Sequence, residues 1–176
     1  MPSKPISELQ SKVGETVKTV NGLRVEAGKV EEFANAIGDE NPLFRDEDVA
    51  KAEGYDAIPA PLTFTRVAYF DRYRPDDVDE GLGFNLGFDQ ERVLHGEQAY
   101  EYERPAVVGD VLSGETTLTD VYQREGRRGG EMTFAVYVTE FRDEDDDLVL
   151  TERVTRIETG VADEEPDADR DEVDGA

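Results

Sequence analysis

The chain has no cysteine, no tryptophan and a single histidine in 176 residues. Without cysteine there are no disulfides, thiolate metal sites or thiol nucleophiles. One imidazole, His95, cannot form a histidine-rich metal centre, and a Ser-His-Asp triad would have to rest on it alone. Basic residues are scarce as well: 19 Lys and Arg stand against 43 Asp and Glu, a formal charge of -24. No basic stretch is long enough to hold a polyanion, so nucleic acid is not an expected partner. Long apolar runs are also missing. The opening residues MPSKPISELQSKVGETV have no apolar segment, and nothing approaches the ~20 apolar residues of a membrane span. A cytoplasmic protein without a membrane partner is expected.

The acidic residues run along the whole chain, which reads as a surface adapted to molar salt. At about 1 M salt the Debye length is roughly 3 Å, and self-repulsion that would strain the fold in dilute buffer is screened. A length of 176 residues suits one domain with an ordinary core. We divide it into a lead-in over 1–24, a single domain over 25–159 and an acidic tail over 160–176. The end of the tail, ADEEPDADRDEVDGA, has almost nothing to bury and reads as disordered.

Within the domain the period changes once. In GKVEEFANAIG, Val30, Phe33, Ala34 and Ile37 fall at helical spacing, and Gly38 supplies a stop. Asp46 can cap a short second helix ended by Gly54. The prolines of GYDAIPAPLTF hold an extended approach. Phe64, Val67, Ala68, Phe70 and Tyr73 then cover most of a helical circumference, as in a buried helix. Residues 74–90, rich in Asp and Gly, read as a loop. From Arg92 onward the pattern is that of strands: VLHGEQAYEYERP, VLSGETTLTDVYQ, EMTFAVYVTEF and LVLTERVTRIE, separated by the turns EGRRGG and RDEDDD. Strands of about a dozen residues span roughly 40 Å. Such strands must curl around something, and the buried helix is the available object. The expected class is therefore α+β, a hot-dog fold with a long antiparallel sheet wrapped around a central apolar helix.

Four separated elements, AIGDENPLF, GYDAIPAPLTF, LHGEQAYEYERP and VVGD, stand in the order found in the MaoC-like dehydratases. The chain resembles their N-terminal, FAS1-like type, which includes the non-catalytic subunit of mycobacterial (R)-3-hydroxyacyl-ACP dehydratases. The resemblance runs from about Val25 to Thr159. It implies a reversible hydro-lyase of fatty acid metabolism, adding water to or removing it from an enoyl thioester of coenzyme A or acyl carrier protein, with no cofactor. It also implies an Asp/His pair in a loop reading G-D-x-N-P-aliphatic-His, and backbone N–H donors near the start of the central helix, here around Leu62 and Thr63, since Pro61 cannot donate.

Asp39 occupies the Asp position, but Phe44 occupies the His position and can neither hold nor pass a proton. Two arrangements satisfy this. In one, the chain is the silent half of a hetero-oligomer: a MaoC-like partner brings the dyad, while this subunit shapes the acyl channel. In the other, a homodimer uses His95, oriented by Asp39 or Glu97. A homodimer that binds acyl-CoA without chemistry is a further class, and Asp71 is the carboxylate a thioesterase would need. Each residue also has a plainer reading. Asp39 and Asn41 are good turn formers. His95 suits a half-buried strand position, Gly96 a bulge or a close backbone approach, and Phe44 an apolar lining. Arg127 and Arg128 first make a hairpin turn, though they form a rare basic spot where coenzyme A phosphates could be met.

Overall fold

The computed structural model describes residues 4–76, 78, 82–126 and 130–160. The tail beyond Gly160 and the pair Arg127 and Arg128 lie outside the described residues. Four strands form where the sequence alternates, β2 (Val93–Tyr102), β3 (Val111–Gly126), β4 (Gly130–Arg142) and β5 (Leu148–Glu158). A further strand, β1 (Thr16–Arg24), pairs antiparallel with β3 and carries Val20 and Leu23 into the core. The boundary at residue 24 is thus corrected: α1 (Ile6–Gln10) and β1 are structural parts of the domain, with Leu9 also buried. The sheet order is β1-β3-β4-β5-β2, antiparallel throughout.

Bulges bend the long strands. In β3 the register shifts between Leu118 and Asp120, so Leu118 and Val121, three residues apart, are both buried. An inserted residue increases local twist, which is how a strand of this length stays on a curved face. The α2 helix (Ala27–Ala36) buries Val30 and Ala34. Gly38 follows with φ +74, a stop that a side chain would oppose. Asp46 caps α3 (Glu47–Ala52), its carboxylate accepting from the N–H groups of Asp48 and Val49.

The α+β hot-dog class holds, but the central helix takes another form. Residues Phe64–Tyr69 and Asp71–Tyr73 are two 3₁₀ turns joined by an extended Phe70, rather than one α-helix. Their hydrogen bonds run from Phe64 N to Pro61 O, Arg66 N to Thr63 O and Tyr73 N to Phe70 O. Burial follows the three-residue period: Phe64 with Val67, and Thr65 with Ala68, face inward. Helical periodicity alone does not separate 3.0 from 3.6 residues per turn over so short a stretch. The alternating β-branched Thr63, Thr65 and Val67 also weaken the α-helix.

Two apolar cores result. One gathers Val20, Leu23, Val30, Phe64, Val67, Tyr73, Phe141 and Leu150, with Phe33, Phe44, Tyr100 and Tyr102 packed against it. The other gathers Leu9, Leu82, Phe84, Leu86, Leu118, Tyr137 and Val154. Phe64 is 1% exposed and Phe70 61%. Phe64→Ala should therefore cost about 3–5 kcal/mol in denaturant unfolding at molar salt, whereas Phe70→Ala should stay within about 0.5 kcal/mol. A single buried α-helix would have made both costly.

Candidate functional site

The loop carrying Asp39 is built by local hydrogen bonds. Asp39 Oδ1 accepts from Asn41 N at 2.9 Å, and Asn41 Oδ1 accepts from Leu43 N at 3.0 Å, capping a 3₁₀ turn over Pro42–Phe44. Arg45 closes it, donating to the carbonyls of Asn41 (2.9 Å) and Asp39 (2.6 Å) and to Asn35 Oδ1 (2.7 Å). Asp39 is half-buried, and its carboxylate is turned to its own loop. Phe44, also half-buried, packs against the core that contains Phe64 and Val67. The ring gives this end of the loop an apolar surface.

His95 lies elsewhere. It is exposed on the edge strand β2, opposite Arg156 of β5. Seven residues separate it from Tyr102, which packs on the Phe44 side, a distance on the order of 20 Å along the strand. No hydrogen bond joins His95 to Asp39 or Glu97 among the described residues. Gly96 lies at the β2 bulge, between His95 and Glu97. A Cβ there would meet Ile157 Cδ1 at 2.7 Å, so bulge and close approach occur together. Leu62 and Thr63 are exposed, and their N–H groups donate to no described residue. Tyr102 Oη donates to the Leu62 carbonyl and holds that turn in place. Asp71 faces solvent.

Sequence reasoning missed the carboxylate at the centre of the concave face. Glu152 is 1% exposed. Thr65 Oγ1 donates to it at 3.3 Å, Tyr69 Oη at 3.4 Å, and Gln98 Nε2 also donates to it and to Tyr100 Oη. Arg66 approaches at 3.6 Å from its open side and stacks over Tyr69 at 4.2 Å. Burial pushes the Glu152 carboxyl above its ordinary range, and Arg66, Thr65 and Tyr69 hold it back. Burial also pushes the Tyr100 hydroxyl up to about 12. The signal was present as period 2: Leu150, Glu152 and Val154 share one face of β5, with Gln98, Tyr100 and Tyr102 opposite.

Beside Arg66 an apolar groove of about 380 Å³ opens between α2 and the 3₁₀ turns, lined by Phe33, Ala36, Val67 and Phe70 with Lys29, Glu32 and Arg66. At the fourth sequence element, Asp110 accepts from Val107 N (2.9 Å) and from both Nη groups of Arg104, which also reaches Asp143 at 2.8 Å. That motif is a brace for the strands. No three His, Cys, Asp or Glu among the described residues are placed to hold a metal ion, and no described helix is long and apolar enough to cross a membrane.

A model of the FAS1-like dehydratase domain region matches residues 11–152. The chain belongs to the FAS1-like dehydratase domain family. Among its relatives, the UPF0336 protein of Parafrankia sp. (strain EAN1pec) is 35% identical over 156 residues, covering 87% of this chain and 95% of the relative. The UPF0336 protein of Thermobifida fusca is 40% identical over 98 residues, 56% of this chain and 62% of that protein. Among solved structures, a MaoC-like dehydratase is 28% identical with a TM-score of 0.69 over 88% of this chain, which spans 43% of that longer one. The HadBC (3R-hydroxyacyl-ACP dehydratase) complex from Mycobacterium tuberculosis gives a TM-score of 0.63 at 24% identity, covering 83% of this chain and 96% of that one. The ChsH1-ChsH2 complex from the same organism gives 0.69 at 20%, covering 89% and 95%. These last two show the fold. At the coarse level the family is one of dehydratases.

The Glu152 cluster has a pH signature. With its pKa raised in the folded state, Glu152 keeps its proton there after the unfolded chain has lost it. Its contribution to stability is therefore full below the ordinary value near 4.5 and falls as pH rises toward the folded value. Unfolding free energies of the wild type and Glu152→Gln, measured from pH 4 to pH 7, should diverge in that sense, the wild type losing ground relative to the variant. A constant difference would show that Glu152 ionises as freely in the fold as in the unfolded chain.

Proposed function

We propose that this chain is a subunit of an (R)-specific enoyl-thioester hydratase or 3-hydroxyacyl-thioester dehydratase, supplying scaffold and acyl channel while a MaoC-like partner carries the Asp/His dyad. The observation that carries this reading is the loop itself. Arg45 clamps its backbone, and it presents Phe44 to the core where the reaction needs an imidazole. Hydration requires a base to take a proton from water as oxygen bonds to Cβ, an acid to protonate Cα, and donors for the charge on the thioester oxygen. Asp39, committed to Asn41 N, and Phe44 cannot do the first two. The groove between Phe33, Val67 and Phe70 can take an acyl chain, and the free N–H groups of Leu62 and Thr63 can meet a polar end. The Mycobacterium tuberculosis structures of this fold named above are complexes, which favours a partner of similar fold.

The test is hydration of crotonyl-CoA, followed by loss of enoyl-thioester absorbance at molar salt. The chain alone and its His95→Ala variant should be inactive. Mixing with a MaoC-like chain that has an intact G-D-x-N-P-x-H loop should give activity insensitive to His95→Ala. Activity of the isolated chain that vanishes in His95→Ala would overturn the reading in favour of a homodimeric hydratase. Tight acyl-CoA binding without turnover, unchanged by the partner, would make it a binding protein instead.

A further inference from the structure

Residues 82–93 pass over the second core and enclose a cavity of about 350 Å³, within the size range of small-molecule sites. Leu82, Phe84, Leu86 and Phe88 supply most of its apolar lining, and its polar side chains are Gln90, Tyr137 and Arg156. It is separate from the groove and the Asp39 loop, which adjoin the first core.

Two of these polar groups, Arg156 and Tyr137, offer donors to the cavity, while Gln90 Nε2 donates to the Phe88 carbonyl at 3.5 Å. A guanidinium has donors and no acceptor. Burial pushes the Tyr137 hydroxyl up to about 12, so it too stays protonated at neutral pH. Arg156 is half-buried, and no carboxylate of a described residue lies within 4 Å of it, although the chain carries -24. The acids nearest to it along β5 are engaged elsewhere. Glu152 is held by Arg66, Thr65, Tyr69 and Gln98, and Glu158 accepts from Asp89 N at 2.9 Å and from Arg92 at 3.3 Å. The one imidazole, His95, lies directly across the strand pair from Arg156 and adds no negative charge. A half-buried guanidinium next to apolar side chains is complemented by an anion with an apolar body, which meets both.

We propose that this cavity is a second binding site for an amphipathic carboxylate, its head group on Arg156 and Tyr137 and its hydrocarbon body against Leu82, Phe84, Leu86 and Phe88. The planar fork of Arg156 suits a carboxylate bidentately, and the cavity suits a medium-length chain. This site does not rest on the hydratase reading and would fill with or without a partner subunit.

The test is a ¹H–¹⁵N NMR titration of the full chain with sodium octanoate, and separately with 1-octanol, at constant molar salt. Octanoate should shift the amides of Leu82 to Val93 and of Arg156 saturably, and bind more tightly than the neutral alcohol. Arg156→Gln should weaken octanoate by about tenfold or more, with Arg156→Lys between. Should Arg156→Gln fail to fold, the lysine variant and the octanol comparison on the wild type decide. No saturable shift, equal affinity for octanoate and octanol, unchanged affinity in the Arg156 variants, or shifts confined to Phe33, Val67 and Phe70 would each overturn the proposal.

Discussion

A curled sheet of five long strands has one concave apolar face, and that face must be covered. Here the cover is assembled from pieces: α2, two 3₁₀ turns and the 82–93 segment. Each contributes a few buried side chains, Val30 and Ala34 from the helix, Phe64, Thr65, Val67 and Ala68 from the first turn, Leu82, Phe84 and Leu86 from the last. A single α-helix would satisfy its own backbone and fill the trough evenly. A segmented cover leaves gaps between its parts, and the 380 Å³ groove and the 350 Å³ cavity border those parts. The openings therefore follow from the same choice that produced the 3₁₀ turns.

Glu152 fits this account. Under a continuous apolar helix a carboxylate at 1% exposure would be prohibitively placed. Beneath the first 3₁₀ turn it finds Thr65 and Tyr69 on the covering segment and Gln98 on the neighbouring strand, with Arg66 at the open side. The group ties β5, the edge strand β2 and the cover together. A set of hydrogen bonds is directional where apolar packing is not, so the cluster fixes how the turn sits on the sheet. Its net effect on stability can be small, because desolvation offsets most of the attraction.

Strands of period 2, the α2 stripe, the Asp46 cap and the glycine stops were legible, because each is a local pattern whose physical cause lies within a few residues. The strand at Thr16–Arg24 was not. TVKTVNGLR lacks the clean alternation of the other strands because β1 is bulged: its register slips between Val20 and Leu23, on either side of Gly22 with φ +67. The type of the central segment was also hidden, since six residues do not resolve a period of 3.0 from 3.6. At the site, the apolar residue at position 44 could be read from one letter. That His95 stands on the sheet edge opposite Arg156 could not, because strand order, not sequence distance, decides which residues become neighbours. Glu152 was readable in principle as a charged residue in the inward series of β5, but its partners come from two other segments.

The loop at Asp39 has a folding role of its own. Asp39 and Asn41 each satisfy a backbone N–H two residues on, and Arg45 ties the loop to α2 through Asn35. These bonds shape the exit from the helix whether or not an imidazole follows. Phe44, at the next turn, packs against the same core as Phe33, Tyr100 and Tyr102. The loop's polar residues hold its shape, and its last residue serves packing.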